Sequence, residues 1–349
     1  MRRTDGIAAT VVAALLTACS HGEFWGPPDL AANPGGTLPA RLTYNPSSDA
    51  APQWLPDGSA IGFSWMDPAR ADHDRCLAFL APDVGRIARQ ICVGGSSEQD
   101  TTGAVWAHGV SATGRLAFLA ERSGRNRLAP AFRDLYVGRV DGTAFRRVLS
   151  FPYITPGGQL HDAAMDMVWP DDTTLVYLAT SVLYIGGGAV LPDTVISTIE
   201  VVRLVLRGDS VAQVAAVPGT NSVSSVGLDR ESGTLYATRN GSSRIFTLDL
   251  ATGALTPAYD FAPLGVARDV QVAGGRIVAV IGGIGGFGPG AGGQILAVPL
   301  SGGTPALVAD TAGGRVYRSL ALEPSGRRVV AESLVGLGRA TDLWMFEVP

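Results

Sequence analysis

Residues 51–66 read APQWLPDGSAIGFSWM, two short β-forming runs on either side of Pro56-Asp57-Gly58. Asp-Gly between alternating apolar residues is a strong hairpin signal, because the turn needs a residue that tolerates positive φ. The same order of strand, glycine turn and apolar strand returns at 104–120 (AVWAHGVSATGRLAFLA), 163–180 (AAMDMVWPDDTTLVYLAT), 223–240 (VSSVGLDRESGTLYATRN), 267–282 (ARDVQVAGGRIVAVIG) and 317–333 (YRSLALEPSGRRVVAES). A second hairpin follows each of the first five copies, as in RIFTLDLATGALTPAYDF at 244–261; the sixth copy stops one strand short, at DLWMFEVP. Six units of four antiparallel strands predict an all-β, six-bladed β-propeller. The missing strand is supplied by LPARLTYN at 38–45, which has no other partner. Pairing it with the C-terminal blade closes the ring and removes an open sheet edge.

Composition agrees with this expectation. The 349 residues include 45 Gly and 22 Pro, and only 17% are charged, which suits many short strands joined by turns. A formal charge of −4 without a basic stripe gives no footprint for nucleic acid or an anionic membrane surface. All the basic residues counted as Lys or Arg are arginine. A lysine Schiff base, a Ser-Lys dyad and a P-loop lysine are therefore excluded. No G-x-S-x-G elbow is present either.

The N-terminus, MRRTDGIAATVVAALLTAC, has the layout of a secretory signal: Arg2 and Arg3, an apolar stretch from Ile7 to Leu16, then small residues. Its end, Leu16-Thr17-Ala18-Cys19, resembles the lipobox of bacterial lipoproteins. That resemblance implies a signal peptide over 1–18, lipidation of Cys19 and a Pro/Gly/Ala-rich tether over 19–37, with the propeller over 38–349. Ser20, where an Asp would retain the protein in the inner membrane, implies a periplasm-facing protein of the outer membrane, held there by its lipid alone. Export leaves Cys76 and Cys92 in an oxidising compartment. Folding CLAFLAPDVGRIARQIC about Val84 places them opposite each other, as a disulfide or as two buried thiols, the bridge being the expectation.

The motif P-x-W-x-P-D-G-S-x-I-x-F of the first unit, with LEPSGRRVVAES and DLWMFEV in the last, resembles the WD-like repeats of the TolB family, six-bladed propellers of the bacterial periplasm. The resemblance covers the propeller part alone, since the residues between Cys19 and the closing strand are too few for the N-terminal domain of TolB. It implies a binding role toward a protein or an envelope component.

In a propeller, loops joining strands 1 to 2 and 3 to 4 of each blade share one face. Here these are tight glycine turns. The opposite face receives long segments at 121–133, 181–197 and 282–293, with 150–163 between blades, and is the expected interaction surface. Gly283, Gly285 and Gly288 formally match G-x-G-x-x-G, but Pro289 and a strand follow where a nucleotide site needs a helix. Polar residues expected at or just before the innermost strands are Asp49, Glu98, Asp100, His161, Asp162, Asp166, Arg268, Asp269 and Arg318. Of these, Asp100, His161, Asp162, Asp166, Arg268, Asp269 and Arg318 form the candidate binding set at the channel mouth. His161, Asp162 and Asp166 together are the candidate ligands of a channel metal or a general base, in an alternative reading as a metal-dependent lactonase or lyase. No other cofactor is expected. His108 is expected to be a satisfied structural histidine.

Overall fold

The computed structural model describes residues 38–43, 49–66, 75–83, 86–91, 102–122, 132–154, 160–161, 163–185, 194–282, 292–335 and 341–349. They form six four-stranded antiparallel sheets arranged as a propeller. The first strand among the described residues is β1 (Ala40–Arg41). Blade 1 is β2 (Ala50–Trp54), β3 (Ile61–Met66), β4 (Arg75–Ala81) and β5 (Arg86–Ile91). Blade 2 is β6 (Thr102–Val110), β7 (Arg115–Arg122), β8 (Phe132–Arg139) and β9 (Arg146–Phe151). A two-residue pair, β10 (Tyr153–Ile154) and β11 (Leu160–His161), precedes blade 3, which is β12 (Ala163–Val168), β13 (Thr174–Ile185), β14 (Thr194–Arg207) and β15 (Ser210–Ala216). Blade 4 is β16 (Val223–Asp229), β17 (Thr234–Arg239), β18 (Arg244–Leu248) and β19 (Leu255–Asp260). Blade 5 is β20 (Val266–Ala273), β21 (Arg276–Gly282), β22 (Gln294–Pro299) and β23 (Ala306–Ala309). Blade 6 is β24 (Arg315–Leu322), β25 (Arg328–Val335), β26 (Thr341–Glu347) and β1.

The closing strand pairs as expected, Ala40 with Met345 and Arg41 with Trp344. Leu42 N–H donates to Leu343 O at 2.8 Å and Leu343 N–H to the Thr43 hydroxyl at 2.9 Å, extending the clasp past the two ladder pairs. The opening hairpin also forms as expected. Gly58 takes φ 71°, and Asp57 fixes the turn by accepting from the Ser59 N–H and hydroxyl at 3.0 and 2.7 Å.

Apolar side chains gather in six clusters, each filling the seam between two neighbouring blades rather than one shared centre. The alternation of each middle strand explains this, because a blade is buried on both faces. The seam between blades 2 and 3 is built on Trp169, whose indole N–H donates to Gly109 O at 3.0 Å. A buried ring of this size is worth about 3–5 kcal/mol against alanine.

Two segments differ from expectation. Within 181–197, residues 181–185 and 194–197 are strand: β13 and β14 pair continuously from Thr174↔Val205 to Ile185↔Thr194, and 186–193 lie outside the described residues. Val182, Leu183, Tyr184, Ile185, Val195 and Ile196 are strong strand formers, and the intervening glycines and Pro192 masked them. The segment 150–163 likewise contains the pair β10 and β11, Tyr153 opposite His161. The glycine loop over 283–291 lies outside the described residues.

Candidate functional site in the central channel

Each inner strand pairs with its neighbour across a register shift: Ala50/Gln53, Val105/Ala107, Met165/Val168, Val223/Ser225, Ala267/Asp269 and Tyr317/Leu320. A bulge leaves backbone groups outside the ladder and re-aims the side chains beside it. Asp166 and Asp269 both lie at such shifts.

Asp269 is the hub. It is 7% exposed and accepts from three protein donors. Its Oδ1 accepts from Ser225 Oγ at 2.5 Å and from Val270 N–H at 2.8 Å; Oδ2 accepts from Leu320 N–H at 2.7 Å. One carboxyl thus ties the inner strands of blades 4, 5 and 6, using the N–H that the bulge of β24 frees. Burial pushes its pKa up; the three donors oppose that shift, and the charge of Glu332 adds to it. Glu332, from the second strand of blade 6, accepts from the Ser319 hydroxyl at 2.8 Å.

Asp166 faces this hub from blade 3. Its φ is 45°, a left-handed conformation that Asp tolerates better than most residues and that the bulge imposes. It is half-buried, still touching the channel yet surrounded by protein. Burial, and after it the charge of Asp269, raise its pKa to about 7 against the opposing Ser225 hydroxyl and Val226 N–H. The two carboxyls titrate together.

The other end of the channel differs. Gln53 reaches from blade 1 past blade 2 to donate to Met167 O of blade 3 at 3.0 Å, and Arg230 of blade 4 donates to Val110 O of blade 2 at 2.6 Å. Beside these struts lies a recess of about 100 Å³ lined by Gln53, Leu228, Arg230, Gln271 and Leu322 among others. It is too small for an ordinary small-molecule ligand.

The structure thus brings Asp166 and Asp269 together, as the sequence suggested. Arg268 turns away from them, its guanidinium lying over Gly282, where an added Cβ would approach Nε to 2.5 Å. Arg318 is half-buried in the bulge of β24 and makes no hydrogen bond or ion pair among the described residues. Asp49 is fully buried at the seam of blades 6 and 1, where its N–H donates to Thr341 O at 2.9 Å, and it belongs to ring closure instead of the channel. Asp100, Glu98, Asp162 and the side chain of His161 lie outside the described residues, as does Cys92. Cys76 is fully buried on β4, one step from the Leu77↔Ile91 pair. His108 is 3% exposed, and among the described residues neither ring nitrogen has a partner within hydrogen-bonding geometry, the Gly62 backbone being the nearest polar influence. Ser225, Ser319, Glu332, Gln53 and Arg230 were not singled out from sequence. Ser225 and Ser319 do occupy the position of Asp269 in the repeat, three residues before the apolar residues Leu228, Leu322 and Val272.

The ring is the six-bladed propeller of TolB proteins and gluconolactonases. It superimposes on a gluconolactonase of Xanthomonas campestris with a TM-score of 0.53 and 16% identity, over 88% of each chain. A candidate TolB of Agrobacterium tumefaciens gives 0.52 and 12%, over 88% of this chain and 93% of that one. Regucalcin of the same organism, a calcium-binding protein, gives 0.52 and 13%, over 89% and 94%. At these identities the likeness establishes the fold alone. No protein-family model matches the sequence, and no curated protein matches it.

Among the described residues no three His, Cys, Asp or Glu side chains are disposed to hold a metal ion. Asp269 already accepts from protein donors through both oxygens, so the described acids do not fit a metal centre.

Proposed function

We propose that the protein is a non-catalytic, exported propeller, anchored by lipid on Cys19 and stapled by a Cys76–Cys92 disulfide, that binds a protein or envelope component through its long-loop face. The observation that carries this reading is the contrast between faces. The β13–β14 hairpin, twelve and fourteen residues long, projects on the long-loop side, whereas the opposite side has tight turns such as Asp57-Gly58. Rigid scaffolds place their binding elements in this way. The hydrogen bonds that tie Asp269 support a structural role for the channel acids.

The test shortens the hairpin. Ser181 and Thr198 are directly opposed, so replacing 182–197 with Asn-Gly leaves a closed two-residue turn. Loss of in-cell crosslinks with an unchanged melting temperature supports the reading; unchanged crosslinks overturn it. Lipidation is checked by intact mass, with Cys19→Ser expected to lose the lipid.

One observation favours the alternative, a channel enzyme of the lactonase or lyase kind: Asp166 keeps channel contact with a pKa of about 7, suited to proton transfer at neutral pH. Metal analysis of the full-length protein beside His161→Ala and Asp166→Asn separates the two. Stoichiometric metal, lost in both variants, selects the enzyme.

A further inference from the structure

The chain has five asparagines, and their successors differ in what they allow. Asn33 and Asn45 precede proline, whose nitrogen carries no hydrogen; Asn126 precedes Arg and Asn221 precedes Ser. Asn240 alone precedes glycine. It lies in the turn between β17 and β18, on the long-loop face of blade 4.

The turn holds this pair open. Asn240 and Gly241 are both exposed, and Gly241 takes φ 76°. A Cβ built on Gly241 would meet nothing within 4 Å, so the peptide nitrogen is unshielded. The flanking backbone is pinned, Asn240 N–H to Ser222 O at 2.8 Å and Ser242 N–H to Arg239 O at 3.0 Å. Between them, neither the Gly241 N–H nor the Asn240 carboxamide makes a hydrogen bond among the described residues. The Asp-Gly turns contrast with this. Asp57 accepts from Ser59, and Asp141 accepts from the Thr143 hydroxyl and N–H at 2.6 and 3.0 Å, which holds each side chain away from the next peptide nitrogen.

We propose that Asn240 is a site of spontaneous covalent modification, converting to aspartyl and isoaspartyl forms. The Gly241 nitrogen loses its proton and attacks the Asn240 side-chain carbonyl carbon. A C–N bond forms, the bond to the amide nitrogen breaks, and ammonia leaves, giving a five-membered succinimide. Water then opens the ring. Attack at the side-chain carbonyl leaves Asp, and attack at the main-chain carbonyl leaves isoaspartate, with one extra carbon in the backbone. Either product places a carboxylate between Arg239 and Arg244, and the formal charge passes from −4 to −5. Arg239 donates to Ser222 Oγ at 3.2 Å and Arg244 to Asp260 at 2.9 Å, so the new charge competes for both guanidiniums and changes the binding face.

The experiment incubates the full-length protein in detergent at mildly alkaline pH and maps its peptides by mass spectrometry. The expected result is a gain of about 1 Da confined to residue 240. Fragmentation should resolve two isomers, with a rate that rises with pH, falls several-fold in Gly241→Ala and drops to background in Asn240→Gln. Gly241→Ala meets no clash for its methyl group but places Ala at φ 76°, so its melting temperature is measured beside that of the parent. An unmodified residue 240, conversion led by Asn126 or Asn221, or a rate unchanged in Gly241→Ala would overturn the proposal.

Discussion

The channel acids and the seam of blades 1 and 2 each bury a titratable side chain, and the two respond to pH in opposite directions. Asp166 sits beside Asp269 with hydroxyl and N–H donors near it; His108 sits against Gly62 and Phe79, its nitrogens without a well-formed hydrogen bond among the described residues. Burial disfavours the charged form of both. For the acid that means a proton held longer, and for the histidine a proton refused: its pKa falls to about 4 through burial, against a weaker opposing contribution from the Gly62 backbone. The lesson is that one physical cause, desolvation, tilts stability either way according to the charge that must be avoided.

The largest effect expected is on the hub. Asp269→Ala leaves the Leu320 and Val270 N–H groups and the Ser225 hydroxyl without their acceptor, and urea titration should show a loss of roughly 3–5 kcal/mol. A loss below about 1 kcal/mol would mean that the belt does not hold blades 4, 5 and 6 together.

Next comes acid sensitivity. His108 has a folded pKa below its unfolded value of 6.5, so its stabilisation is present above pH 6.5 and is lost as pH falls toward 4, by about 3 kcal/mol. His108→Leu should abolish that slope in pH-dependent unfolding. Asp166 has the reverse sign. Its folded pKa lies above the unfolded value of 3.8, so its contribution is complete below that value and is lost as pH rises to about 7. Asp166→Asn should remove this decline, by a smaller amount because the group is only half-buried. Between pH 4 and 7 the parent should therefore show a flatter profile than either variant, with the two variants sloping in opposite directions. Variants sloping the same way would break the comparison. The smallest effect is at the far end of the channel, where Gln53→Ala removes one strut to Met167 O and should cost about 1 kcal/mol at any pH in this range.

Much of the ring was legible because the repeat is local. Asp57-Gly58 and its counterparts mark turns, and LPARLTYN is the strand left over. Asp166 and Asp269 were legible as polar residues on inner strands. What sequence concealed is register. A bulge shifts the alternation by one residue, so a pattern with period two cannot tell which residues beside Asp269 enter the channel. Arg268 was placed with them by the same pattern, and its Nε lies over Gly282 of the neighbouring strand. Glu332 was missed because it arrives from a second strand, which no motif in β24 announces. His108 was read as satisfied because its position gives no view of Gly62, whose missing side chain makes room for the ring: a Cβ there would come within 2.7 Å of Nε2.

The join between β1 and β26 also decides how the molecule carries load. The chain enters the ring at Leu38 and is held through two ladder pairs and the Leu42 and Thr43 bonds to Leu343. Any pull on the residues before Leu38 is delivered to this clasp before it reaches another blade. The seam that completes the circle is also its mechanical fuse: tension that frees β1 exposes the edge of β26 and opens the ring at a single place, leaving the five other blades paired.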